Sequence, residues 1–220
     1  MLRALFEKTG NAAYISHLDL MRLFQRAFKR AGLPLTHTQG YNPRPSVSIA
    51  LPMSLGAESL CELLDFDLEG GAYPDLENMR QRLNEALVEG VRVRQIYGGG
   101  SKLKNLALLE AELTLEYDAD VPEGAKAELE ALFARSDLTV EKKSKRGIQQ
   151  QEISSMVRRV EIAQASPQEL TLRALVHCQN PALNPMQLAL AVETYLPHLR
   201  PDFVRCCRLE IYDEAEEIFR

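Results

Sequence analysis

What most constrains this chain is an order of elements that occurs twice, once on each side of the run Tyr97-Gly98-Gly99-Gly100-Ser101. In the first half, Leu2 to Lys8 reads as a strand turned by Thr9-Gly10-Asn11. A helix follows from about Ser16 to Ala31, and Gly32-Leu33-Pro34 stops it with the usual Gly-then-Pro signal. Extended chain runs from Leu35 to Leu51, interrupted between Gly40 and Pro45. CELLDFDLEG is a strand that carries Glu62, Asp65 and Asp67 among apolar neighbours. Pro74 begins a second helix, in which Leu76, Met79, Leu83 and Leu87 keep helical spacing, and Val91 to Ile96 closes the set as a strand. The order is β-α-β-β-α-β, that of the split βαβ or ferredoxin-like unit.

The glycine run has the composition of a flexible joint, and the grammar then repeats. ALLEAELTLEYD alternates like a half-buried strand, EGAKAELEALFARS is a short helix, and Leu138 to Lys142 is a strand leading into the polar hairpin tip KKSKRGIQQQ. Met156 to Ala163 and ELTLRALVHC are strands, NPMQLALAVETYL is a helix with Pro185 at its first turn, and DFVRCCRLEIYD is the last strand. The repeat is one of element order, not of residues. The expectation is an α+β chain of two tandem ferredoxin-like (βαββαβ) domains with antiparallel sheets. Residues 1–97 form the first, 98–105 the joint and 106–220 the second.

Composition narrows the class. A chain with 45% hydrophobic and 26% charged residues is a soluble globular protein. No run approaches the ~18 apolar residues of a membrane span, and the N-terminus lacks the basic patch and apolar core of a secretory signal. A cytoplasmic protein without a membrane partner is expected. Cys61, Cys178, Cys206 and Cys207 make neither CxxC nor a three-cysteine cluster, so no Fe–S or zinc signature is present. No metal site and no cofactor held by this chain are expected. Cys206 and Cys207 would point to opposite faces of their strand.

A net charge of −5 argues against indiscriminate nucleic-acid binding. The distribution is more informative. Residues 1–50 carry seven Lys or Arg against two acids, whereas residues 51–70 carry five acids and no Lys or Arg.

Ser16-His17-Leu18-Asp19 opens the first helix. Ser16 with Asp19 three residues on fits a capping box, which accounts for both without chemistry. His17 is not explained by capping. With His37, beyond the helix, it is a candidate acid–base pair, although a structural histidine is commoner. Arg22, Arg26, Lys29 and Arg30 recur at i, i+3, i+4 spacing on a face away from the apolar one, an array able to line a phosphate backbone or to sit solvated. Gln39-Gly40-Tyr41-Asn42-Pro43-Arg44-Pro45 is a loop stiffened by two prolines. It presents a stacking ring, an amide and a guanidinium, the side chains that hold single-stranded RNA or a charged small molecule. The expectation is that this loop and the basic helix face share one pocket. Lys142 to Gly147 is a second basic patch.

Lys8-Thr9-Gly10, Ser16 to Asp19, the basic helix, Gln39 to Pro45, Ala50-Leu51-Pro52 to Gly56 and the carboxylate strand Glu62 to Asp67 together resemble the radical-SAM-linked protein family. The resemblance is dense over residues 14–68 and weakens after the glycine joint, where NPALNPMQL is the main recognisable piece. It implies an accessory role beside a radical SAM enzyme with a cobalamin-binding region, with any radical chemistry on that other chain. The family pattern's Asp-Ile-Arg-Pro-like segment is replaced here by Gln151-Glu152-Ile153-Ser154-Ser155.

Three readings follow. The first is a binding module that holds RNA, or another anionic substrate, for a radical SAM partner. Arg22, Arg26, Lys29 and Arg30 position phosphates, and Gln39, Tyr41, Asn42 and Arg44 read the ligand. The second is an RNA-processing or RNA-modifying enzyme, a metal-independent endonuclease using His17 or His37, or a pseudouridine synthase using Asp19. The third is a protein-docking scaffold.

Overall fold

Strand β1 (Leu2–Lys8) contributes Leu2, Ala4 and Phe6 to an apolar cluster that the first helix covers. The structure, a computed structural model, describes residues 1–71, 75–144 and 147–220. Two compact units divide it, Met1–Leu103 with Arg220, and Lys104–Phe219. Each is α+β, and four α-helices are distributed between them among the described residues.

The first unit runs β1, α1 (His17–Arg30), β2 (Val47–Ala50), β3 (Glu58–Phe66), α2 (Leu76–Ala86) and β4 (Val91–Gly98). Its sheet has the strand order β4-β1-β3-β2, with every pair antiparallel. Leu20, Phe24, Ala27 and Phe28 of α1 pack on Leu64 and Phe66 of β3 and on Met79 and Leu83 of α2. Truncating a fully buried Phe such as Phe24 or Phe28 costs about 3–5 kcal/mol. Directly opposed in the β1–β3 register are Arg3 and Asp65, whose side chains form a buried bidentate pair at 2.6 and 3.0 Å. The third guanidinium nitrogen donates to Ser101 O at 2.9 Å. Pro74, the expected start of the second helix, lies outside the described residues. The cap of α2 is Asp75, which accepts from Asn78 N at 2.8 Å.

Both ends of α1 follow from sequence. Ser16 Oγ accepts from Asp19 N at 3.2 Å, as a capping serine should. The reciprocal half of the box differs from expectation. Asp19 accepts instead from the Ser16 hydroxyl at 2.7 Å and from Arg22 at 2.9 Å. These bonds, Ser16 first, hold its carboxyl below the ordinary 3.8. At the other end Gly32 takes φ +64°, Gly32 N donates to Lys29 O and Leu33 N to Phe28 O, the Schellman arrangement. Arg82 of α2 donates to the carbonyls of Ala31 and Gly32, adding a cation at the negative end of the helix.

The second unit runs β5 (Leu106–Glu116), α3 (Ala125–Phe133), β6 (Thr139–Ser144), β7 (Gly147–Glu152), β8 (Val157–Ser166), β9 (Glu169–His177), α4 (Met186–Tyr195) and β10 (Phe203–Asp213). Its main sheet has the order β10-β5-β9-β8, again antiparallel throughout. The polar run GIQQQ, expected as a hairpin tip, is strand β7 paired to β6. Its polarity is used: Gln151 accepts from Gln187 of α4 at 3.0 Å and donates to Ala182 O. Lys145 and Arg146 of the basic tip lie outside the described residues. On β10, Cys206 is buried and Cys207 half-buried. Burial pushes the Cys178 and Cys206 thiols up to about 11, leaving both protonated at neutral pH. Among the described residues no helix is long and apolar enough to cross a membrane.

Two outcomes test this account. A Cβ at Gly90 (φ +81°) would lie 2.4 Å from the Thr9 carbonyl, whereas at Gly32 it would meet only the movable end of Arg82. Both alanine variants carry left-handed strain of ~1 kcal/mol, and only Gly90→Ala adds a backbone clash. Denaturant unfolding should show the larger loss for Gly90→Ala, and equal losses would contradict the packing. Ser16→Ala should cost about 1 kcal/mol at neutral pH through the lost cap. It should also raise Asp19 toward 3.8 in an NMR titration. A depressed carboxylate stabilises the fold above its ordinary value and loses that contribution as pH falls through the depressed one, so the acid sensitivity linked to Asp19 should shrink in the same variant.

Candidate functional site

The buried side of α1 fixes what it shows to solvent. With Leu20, Phe24, Ala27 and Phe28 inward, helical spacing carries Asp19, Arg22, Leu23, Arg26 and Arg30 along one outward stripe. With Ile15 and Val88 these five residues line an open groove of about 480 Å³. Arg22 is paired with Asp19, both side chains being well exposed, and Arg30 donates to Ala86 O at the end of α2. No hydrogen bond or ion pair among the described residues holds the Arg26 guanidinium, whose charge also helps keep Asp19 ionised. The groove holds three guanidiniums against one carboxylate.

Lys29 is adjacent to Arg30 in sequence yet faces elsewhere. One further step around the helix puts it, with Gln25 and Phe28, on a second groove of about 460 Å³. The floor of that groove is Phe28, Leu33, Leu35 and Pro45, and His37 and Glu69 stand at its rim with Lys29. Here the Gly/Pro loop is rooted. His37 bridges Pro45, Thr38 N donates to Arg44 O at 2.8 Å, and Arg44 N donates to Thr38 Oγ1 at 3.0 Å. Pinched at its base, the loop leaves Gln39, Tyr41, Asn42 and Arg44 exposed, Tyr41 completely. None of these four lines the arginine groove. The helix therefore serves two grooves, and the loop rises from the second.

The histidines are separated. His37 belongs to the second groove, while exposed His17 borders a hole of about 10 Å³ together with Lys8, Glu62 and Met53. That volume is about the least that admits one water. Lys8 and Glu62 are 3% and 1% exposed. Glu62 sits opposite Phe6 in the sheet, and Lys8 Nζ donates to Ala13 O at 3.1 Å. Sequence reading singled out neither residue as functional. The signal was present: each stands two positions from a core phenylalanine or leucine, in the phase that alternation reserves for apolar side chains. Asp19 is exposed and held by Ser16 and Arg22, an arrangement that favours the ionised carboxylate. Among the described residues no three His, Cys, Asp or Glu gather as a metal-holding group.

Comparison with known proteins adds a family and little else. No curated protein matches the chain by sequence. Among solved structures it is similar to "Crystal Structure of a Cbf5-Nop10-Gar1 Complex" at 9% identity, covering 96% of this chain and 50% of the other, TM-score 0.48. "Structure of H/ACA RNP bound to a substrate RNA containing 2'-deoxyuridine" is similar at 10% identity, covering 94% and 46%, TM-score 0.46. The chain thus spans about half the length of these two. "Crystal Structure of an Unknown Protein from Galdieria sulphuraria" is similar at 12% identity, covering 94% and 96%, TM-score 0.26. Residues 1–185 match the family described as "Uncharacterized protein conserved in bacteria (DUF2344)", a description that carries no radical SAM partner, and the chain belongs to that family.

Proposed function

We propose that this chain is a cytoplasmic RNA-holding module made of two ferredoxin-like domains, which presents single-stranded RNA to a separate enzyme. What carries the reading is the stripe of Arg22, Arg26 and Arg30 along one groove of a packed helix. Three guanidiniums at helical spacing on a chain of net charge −5 make a local anion track, not a general one. A fully exposed Tyr41 on a stiff loop supplies the stacking surface that unstacked bases seek. Support for the domain assignment is the βαββαβ order of the first unit and its recurrence in the second with the β6–β7 hairpin inserted. β4 lies beside β1 and β3 beside β2 in one, β10 beside β5 and β9 beside β8 in the other. A radical SAM enzyme as the recipient rests on the sequence resemblance alone, and the expectation of no cofactor on this chain rests on the lack of a cysteine-cluster motif together with that resemblance.

A second reading, an RNA-processing enzyme, has one observation in its favour. His17 stands over the hole bordered by buried Lys8 and Glu62, and buried charge beside an imidazole is a common setting for proton transfer. The water-sized hole and the placement of His37 on a different groove favour holding over cleavage.

The triple variant Arg22→Gln, Arg26→Gln, Arg30→Gln changes exposed side chains and leaves the inward face of α1 intact. Filter binding with a single-stranded oligonucleotide should show at least tenfold weaker binding at low salt. The salt slope should be shallower by about 2, each lost phosphate contact being worth roughly 0.7 for single strands. Unchanged affinity and slope would remove the reading. RNA should be recovered uncut, and cleavage abolished by His17→Ala would favour the enzyme instead.

A further inference from the structure

The second groove has the make-up of a ligand pocket and not of a track. Its volume of about 460 Å³ falls within the ~300–1,000 Å³ of small-molecule sites. Phe28, Leu33, Leu35 and Pro45 give it an apolar floor. Four polar side chains converge at the rim, and they differ in kind. Lys29 is a cation, Glu69 an acceptor-only carboxylate, and Gln25 and His37 can each donate or accept. No hydrogen bond or ion pair among the described residues engages the side chains of Lys29, His37 or Glu69, so all three are open to an incoming group.

We propose that this groove is a nucleobase pocket, selective for bases that bear an exocyclic amino group. The inference rests on the RNA-holding reading and names what is held. Lys29 and Arg30 are consecutive, so a strand whose phosphates follow Arg22, Arg26 and Arg30 reaches Lys29 at the end of α1 with a base free to turn into the second groove. The floor removes the ring from water. The Glu69 carboxylate accepts from the amino group of cytosine or adenine, or from the N1–H and amino edge of guanine. Uracil has no exocyclic N–H, and its single N3–H lies between two carbonyl oxygens, so a carboxylate that accepts from it also abuts an acceptor. Because Glu69 stands at an exposed rim, that mismatch is partly solvated, and it discriminates as a repulsive element of modest size. Gln25 and His37 complete the edge contacts, and Lys29 meets the 5′-phosphate.

Direct titration of the intact protein with AMP, GMP, CMP and UMP at low salt, followed by NMR, is the test. Peaks of residues 25–37, 45 and 69 should move, and the three amino-bearing nucleotides should bind roughly tenfold or more tightly than UMP, the range expected for one good base-edge contact. Glu69→Gln should shrink that preference toward unity, because a carboxamide both donates and accepts. Lys29→Gln should weaken all four by a similar factor. Equal binding of all four nucleotides, no binding, or shifts confined to other residues would overturn the pocket. Oligonucleotide binding that depends on the three arginines, with no mononucleotide binding here, sinks this inference and spares the RNA-holding reading. Mononucleotide binding without arginine-dependent oligonucleotide binding does the reverse.

Discussion

Two aromatic contacts set the roll of α1 about its own axis, and everything said about its outer surface depends on them. Phe6 and Phe24 meet edge to face with centroids 4.8 Å apart, and Phe28 and Phe66 meet at 4.7 Å. Both helix residues are fully buried, so neither can be moved without leaving a large void. A helix advances about 100° per residue. A shift of one position would swing the arginine stripe toward the sheet and bring apolar side chains to solvent. The same contacts place Lys29 at the flank, where it leaves the arginines and joins the second groove. Arg82 and Arg30, bonded to carbonyls of the opposite helix ends, fix how α1 and α2 lie together within this unit.

Beneath that helix the sheet keeps charges where apolar residues would be cheaper. Arg3 and Asp65 are satisfied by a bidentate pair and a carbonyl, which is the arrangement that makes a buried ion pair tolerable. Removing one partner of such a pair costs several kcal/mol because the other charge is stranded. Lys8 and Glu62 repeat the theme at the opposite end of β1, bordering the hole beneath His17. Burial of ionisable groups is disfavoured unless they are satisfied, and both of these lie against the N-terminal end of α1.

Much of the first unit could be read without coordinates. The apolar period of α1, its serine cap and its Gly32 stop each follow from short-range chemistry. So does the exposure of Tyr41, Asn42 and Arg44 on a loop stiffened by Pro43 and Pro45. The grouping of these features was not legible. Helical spacing places Lys29 with Arg22 and Arg26, but which neighbour closes over each flank is a tertiary matter. Val88 faces one flank while Leu35, Pro45 and Glu69 face the other. The loop likewise looks free in sequence, whereas the His37–Pro45 bridge and the Thr38–Arg44 bonds root it at the second groove. Strand β7 escaped because its residues are polar. Its stability comes from β6 and from Gln187, neither of which its own pattern reveals.

Whether the arginine groove and the second groove form one path for a strand can be read in a single footprint. Single-stranded RNA carrying photoreactive bases would be cross-linked to the intact protein and the attached peptides identified by mass spectrometry. The account predicts adducts within residues 15–30 and within the neighbouring segments 35–45 and 69–71, all lost in the arginine triple variant. Adducts concentrated instead on the β6–β7 hairpin, or scattered with no dependence on Arg22, Arg26 and Arg30, would contradict it.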